Sequence, residues 1–270
     1  MRQLARRGQT SLKVAIIYYH SVGGPPPQTL SKACFESHLQ SLQRLGIRTV
    51  TLGQLVKEGP QPKTAVLTFD DGLLDNYEVV FPLLQHYGMV GTFYCVPGYD
   101  QVTRWVHPVT QRWSDTPLPG YSIPFASVNA RQRDEMARHG MEIGCHTYSH
   151  RKLTHLPVDQ LHYEIVTSKD ILEQQLGRPV ETFCYPNGRY NAQIAAVVRQ
   201  AGYLGACSTI PGYYRPHGNP FAINRFLTED PTYFGYVAQG QAFRPGPMLR
   251  VGCKWLAAKT RLWFRRLWAH

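Results

Sequence analysis

Short apolar runs alternate with amphipathic stretches along almost the whole chain, and this limits the folds open to it. Val14–Tyr19, Ile47–Leu52, Ala65–Phe69, Thr92–Val96, Met141–Cys145, Thr182–Tyr185, Leu204–Ser208 and Ala222–Phe226 read as strands. Between them, Ser31–Leu45, Asn76–Tyr87, Ala130–His139, Val158–Leu176 and Ala192–Ala201 read as helices, with Gly177 and Gly202 closing the last two. Strands alternating with helices make parallel β-α units. Seven or so of them suggest an α/β barrel rather than an open sheet. In either form, functional groups collect where strands end and loops begin. Pro97–Phe125 carries prolines and little periodicity, and reads as a long loop over that end.

At 270 residues, 43% hydrophobic and 17% charged, the chain can bury a substantial core and is too poor in charge for a disordered tail protein. No apolar run approaches the ~20 residues of a membrane-spanning helix. The formal net charge is +11, and its placement matters more than its size. Arg2, Arg6, Arg7, Lys13 and Lys32 precede the first acidic residue, Glu36. Seven further positives follow the last one, Asp230. The body between is close to neutral. Basic ends on a neutral body argue against a nucleic-acid groove built into the fold and fit tails that meet anionic lipid or phosphate.

Val14–Tyr19 is short, ends in His20 and is followed by no small-residue cleavage site, so it reads as the first strand and not as a signal peptide. The six cysteines form no CxxC pair. Cys95, Cys145, Cys184 and Cys207 each end a strand-like run and read as small buried thiols, which favours a reducing, cytoplasmic setting.

Polar residues gather at the strand ends. Asp70-Asp71-Gly72 follows Ala65–Phe69, His146-Thr147-Tyr148-Ser149-His150 follows Met141–Cys145, Pro186-Asn187-Gly188 follows Thr182–Tyr185, and His20 follows Val14–Tyr19. Taken alone, Asp-Asp-Gly reads as a turn with an Asp capping the next helix, and Pro-Asn-Gly as an ordinary turn. Together they converge at one end of parallel strands. Two His and one carboxylate make a catalytic metal set, with an open position for water or substrate. The ligands would be His146, His150 and one of the two Asp, the other Asp standing beside the bound water as general base.

Thr68-Phe69-Asp70-Asp71-Gly72 and His146-Thr147-Tyr148-Ser149-His150 resemble the first two motifs of the polysaccharide deacetylases (the NodB-homology domain, carbohydrate esterase family four). Tyr185-Pro186-Asn187-Gly188 resembles the third, and Tyr19-His20-Ser21-Val22 an opening common in one branch. The similarity covers roughly residues 13–230. It implies a distorted (β/α)7 barrel, one divalent metal, usually Zn2+, and hydrolysis of an N-acetyl group from an amino sugar. It implies Asp70 as base, Asp71 as metal ligand with His146 and His150, and the Asn187 backbone N–H holding the oxyanion together with the metal. Two positions depart from the family. Its third motif carries an Arg where Cys184 stands here, and Arg225 is the candidate replacement. Its late Leu-x-His, the general acid, has no clean match; His217 and His20 are the candidates.

Tyr99, Trp105, Trp113 and Tyr121 in the long loop read as sugar-stacking aromatics or as loop packing. Residues 1–12 read as a basic lead-in, 13–244 as the barrel and 245–270 as a tail. In that tail Leu249–Trp268 has no acidic residue. On a helix, Arg250, Lys254, Arg261 and Arg265 share one face and Leu256, Trp263, Phe264 and Leu267 another. That is the profile of an amphipathic helix lying in a membrane interface, here the anionic inner face. The alternative is a helix docked on the barrel. The expected partner is an N-acetylated glycan, or a lipid-linked amino sugar, with no nucleic acid. Competing readings are a deformylase or other small-amide hydrolase, and a non-catalytic glycan-binding barrel.

Overall fold

The unbroken apolar runs are strands buried on both faces. In the computed structural model, which describes residues 12–24, 29–100, 102–107, 112–114, 116, 118–120 and 123–245, every residue of Ala15–Tyr19, Thr64–Phe69, Thr92–Cys95 and Thr182–Cys184 is buried. Parallel strands run in the order Gly205–Cys207, Thr182–Cys184, Glu142–Cys145, Thr92–Cys95, Thr64–Phe69, Ala15–Tyr19, Phe226–Leu227. A parallel bridge between Cys207 and Ile223 joins the two ends of this series. Arg48–Thr49 pairs in parallel with Thr64–Ala65 as an eighth strand off this path, and the result is the expected distorted α/β barrel. Alternation along the strands splits the core in two. Val14, Ile16, Val66, Tyr94, Cys184 and Cys207 share one buried cluster. Ile17, Leu67, Phe69, Phe93 and Phe183 join a larger one with the helices.

Local signals set the helix ends. Ser31 caps Lys32–Leu45 by accepting from the Cys34 N–H, and Gly46 ends it at φ +62. The helix over 158–176 contains a π-turn, Tyr163–Thr167.

Three expectations need correction, and one element is unforeseen. Ile47–Leu52 is a strand only at Arg48–Thr49, because Thr51 and Gln54 form a capping box that starts the helix Leu52–Glu58. Ala222–Phe226 pairs regularly only at Phe226–Leu227. Pro97–Phe125 is not all loop: Arg104–Val106 pairs antiparallel with both Trp113–Ser114 and Ile123–Phe125. An unexpected helix, Pro231–Ala238, is capped by Asp230 with Pro at its start.

The lead-in and tail readings lie outside the described residues, apart from Leu12 and Pro245. No helix among the described residues is long and apolar enough to cross a membrane.

His38 gives this core a pH dependence. Its buried ring stacks on Phe234 at 4.1 Å, and Nδ1 lies 3.1 Å from the Tyr19 hydroxyl. Burial pushes its pKa down to about 4, with Asp230 pulling partly back. The unfolded chain takes up this proton near pH 6.5. The stabilisation is therefore complete above about pH 6.5 and lost as pH falls towards 4, worth up to ~3 kcal/mol. Urea unfolding of His38→Phe should show a shallower loss of stability between these pH values than the wild type. Equal slopes would refute it.

Candidate active site

The C-terminal strand ends bring the predicted residues together. Asp70 follows Thr64–Phe69, and its N–H donates to the Tyr19 carbonyl at 2.9 Å. Asp71 turns back at φ +72, and Gly72 follows at φ +59. A Cβ on Gly72 would lie 3.1 Å from the Cys95 Cα, so only glycine lets this turn lie against the neighbouring strand.

Asp71 faces two imidazoles. Its Oδ1 lies 3.6 Å from His146 Nε2 and 3.3 Å from His150 Nε2. That oxygen is buried and has no hydrogen-bond partner. His146 Nδ1 donates to the Cys184 carbonyl at 2.7 Å. A carbonyl can only accept, so the proton sits on Nδ1 and the Nε2 lone pair points at Asp71. Burial, then the neighbouring His150, pushes the His146 pKa down to about 4, leaving the neutral form that a metal ligand requires. Burial works to raise the Asp71 pKa, but His150, His20, His146 and Arg104 more than offset it. One carboxylate and two imidazoles, with ligand atoms within 4.8 Å of one another, suit a divalent cation.

Asp70, His146 and Cys184 make a second such trio. It suits a cation less well. Both Asp70 oxygens are taken, and burial raises the Cys184 pKa well above its ordinary value, so the thiol stays protonated.

The partner of Asp70 is Arg225. Its Nη1 and Nη2 donate to the two carboxylate oxygens at 2.7 and 2.8 Å. Further donations go to Thr68 Oγ1, the Ser208 carbonyl and Cys184 Sγ, each at 3.0 Å. The guanidinium lies 4.6 Å from the Tyr18 ring centre. Burial alone would raise the Asp70 pKa; the Arg225 charge and hydrogen bonds hold it well below the usual carboxylate range. The Cys184 thiol donates to Asp70 at 3.6 Å. Arg225 thus reaches Asp70 from just before the strand Phe226–Leu227, where the family pattern has Arg in place of Cys184.

A cavity of about 470 Å³ is lined by Tyr18, His20, Asn187, Arg189, Thr209 and Glu229 among others. It adjoins the group through Tyr18, which packs on Arg225, while Asp70, Asp71, His146 and His150 are not in its lining. That size falls in the range of small-ligand sites. Asn187 is exposed at φ +57. A Cβ on the next residue, Gly188, would lie 2.2 Å from Thr209 Oγ1. His20 is held by its own backbone, whose carbonyl accepts from Asn76 Nδ2 at 2.9 Å.

His217 does not join the site. It is exposed beside Pro216 and Gly218, which line a separate cavity with Val56 and Leu204 at the start of strand Gly205–Cys207. This is the other end of the barrel, because the Pro220 carbonyl accepts from the Ala206 N–H and ties the loop there. Tyr99 is buried, its hydroxyl donates to the Ser149 carbonyl at 3.0 Å, and Arg104 covers its ring at 4.3 Å. It is packing, not a sugar platform. Trp105 is half-buried; the Trp113 side chain and Tyr121 lie outside the described residues.

Sequence reasoning missed Arg104, which carried no signal, and Glu164, which did. Glu164 sits on the buried stripe of Leu161, Ile165, Ser168 and Leu172, where an apolar residue is expected.

The fold and these motifs define a carbohydrate-deacetylase class of barrel. The sequence model of the polysaccharide deacetylase family matches residues 57–206, and the chain belongs to that family, hydrolases that act on N-acetyl groups. It is 28% identical over 219 residues to YxkH of Bacillus subtilis (strain 168), whose name puts it with the polysaccharide deacetylases; the match covers 79% of this chain and 70% of YxkH. Its fold is similar to that of the Streptococcus pyogenes deacetylase PplD, at TM-score 0.70 and 23% identity over 86% of this chain and 99% of that one. It is likewise similar to IcaB from Ammonifex degensii, at TM-score 0.68 and 23% identity over 85% and 97%.

Proposed function

We propose that the protein hydrolyses the N-acetyl amide of an amino sugar in a glycan, with a divalent cation held by Asp71, His146 and His150. The observation that carries this reading is the side-by-side contrast of two carboxylates. Asp70 is locked to Arg225, while the buried Asp71 Oδ1 faces two imidazoles without a hydrogen bond. Asp71, His146 and His150 would hold the cation, zinc by the fit of one carboxylate and two imidazoles, and it would supply Lewis acidity at the site. Asp70, kept ionised and oriented by Arg225, accepts the proton of the attacking water. The Asn187 backbone N–H donates to the oxyanion. His20, at the cavity wall, gives the departing amine its proton; His217, at the far end of the barrel, is out of reach.

The basic chain ends fit docking on an anionic bilayer. Lys13 Nζ donates to the Gly240 carbonyl at 3.3 Å and lies 5.6 Å from the Tyr213 ring centre. The described chain therefore starts and stops side by side, before the first strand and after the last helix. That pole is separated from the site by the length of a strand, about 20 Å.

The test is acetate release from a panel of N-acetylated glycans by the full chain. Release should stop with a chelator, return with Zn2+, and be absent in His150→Ala. Formate released from N-formyl sugars instead would assign the small-amide reading. Glycan binding without any release would assign the non-catalytic barrel. Co-sedimentation with phosphatidylglycerol vesicles should fall from 0.1 M to 1 M salt as the Debye length shrinks from about 10 Å to about 3 Å. No sedimentation at low salt would end the membrane reading.

A further inference from the structure

Ser149, between the two imidazoles, has every polar group engaged. Its N–H donates to Glu164 Oε2 at 2.9 Å, and its hydroxyl to Glu164 Oε1 at 2.5 Å. Its carbonyl accepts from Tyr99 at 3.0 Å. The preceding N–H, that of Tyr148, donates to the Glu164 backbone carbonyl at 3.0 Å. Glu164 is 3% exposed, and both carboxylate oxygens are used on one residue of the loop. It lies in the π-turn Tyr163–Thr167, where Tyr163 packs edge-on against Tyr148 at 4.9 Å. A π-turn widens a helix by one residue and is common at functional sites.

The loop needs such a restraint. Thr147 sits at φ +68 and His150 at φ +55, both non-glycine residues in the left-handed region. Each such residue costs on the order of 1 kcal/mol or more and persists only where its surroundings over-determine it. Within the loop, one bond works against that cost, from the His150 N–H to Thr147 Oγ1 at 2.9 Å. The remaining restraint comes from outside the loop, from Glu164, from the Tyr99 hydroxyl and from the Gly98 N–H, which donates to the Tyr148 carbonyl at 2.9 Å.

We propose that Glu164 is a positioning residue for the metal-ligand loop. Holding Ser149 by both donors, it fixes the point from which His150 departs and so aims the His150 ring at Asp71. This rests on the reading that Asp71, His146 and His150 hold a cation. Outer residues that orient ligands typically contribute 10–100-fold to metal affinity. A neutral amide at position 164 keeps the shape but offers only one acceptor to the two Ser149 donors.

Zn2+ affinity should be measured by competition with a chromophoric chelator for wild type, Glu164→Gln, Ser149→Ala and the double variant, with the melting temperature of each metal-free protein. Glu164→Gln should bind Zn2+ 10–100-fold more weakly at nearly unchanged metal-free melting temperature. Ser149→Ala should lose less, and the double variant no more than Glu164→Gln. Unchanged affinity, or a loss matched by a fall in metal-free melting temperature, would overturn the proposal and leave Glu164 as packing. Amide exchange over residues 147–150 of the metal-free proteins reads the restraint without the ion. Faster exchange in Glu164→Gln is expected, and equal exchange overturns the restraint. A wild type that binds no Zn2+ but passes the exchange test overturns the metal role of Glu164 together with the metal reading, and leaves only the loop restraint.

Discussion

Asp70→Asn is expected to lower deacetylation roughly 10²–10⁴-fold, the usual loss when a general base is removed. Zn2+ binding through Asp71, His146 and His150 should survive, because Asp70 belongs to the other trio and its oxygens are turned to Arg225. The substitution also strands a guanidinium that is 0% exposed. Removing one partner of a buried ion pair costs about 3–5 kcal/mol. A rate loss must therefore be read with the metal content and unfolding free energy of the same sample. Near-normal turnover by folded, metal-loaded Asp70→Asn would move the base elsewhere.

Arg225→Met should be the most destabilising single change at the site. It leaves Asp70, buried with 4% of its side chain exposed, without its two strongest donors. A loss of about 3–5 kcal/mol in denaturant unfolding is expected, together with a fall in turnover, because the base loses its fixed orientation. The double variant Asp70→Asn/Arg225→Met separates the two effects. Removing both charges should recover much of the stability, since apolar or neutral replacements of a buried pair are often tolerated. It should recover no activity. A double variant as unstable as the sum of the singles would show that the pair is not coupled, against the 2.7 and 2.8 Å bonds.

Much of the barrel was legible because parallel strands buried on both faces leave continuous apolar runs, and helices between them leave a 3.6-residue period. The errors follow from short elements. Arg48–Thr49, Trp113–Ser114 and Phe226–Leu227 have two residues each, too few to show a period. The capping box at Thr51 and the Asp-Pro start at Asp230 were readable local signals that outranked the apolar pattern around them.

The sequence by itself determined the set of two imidazoles and one carboxylate proposed to hold the cation. Asp70-Asp71 and His146-x-x-x-His150 are local motifs on strand ends, and their chemistry needs only that those strands be neighbours. Tertiary structure decided what surrounds them. Arg225 meets Asp70 across 155 residues of chain because Phe226–Leu227 pairs with the first strand, which in turn pairs with Thr64–Phe69. His20 and His217 are indistinguishable as candidates in sequence, and barrel direction places one at the site and the other at the opposite pole. Tyr99 and Glu164 reach Ser149 across 50 and 15 residues. Periodicity is written within a dozen residues, whereas an ion pair or a loop restraint across the barrel exists only once chain closure has been made, and no local spacing records it.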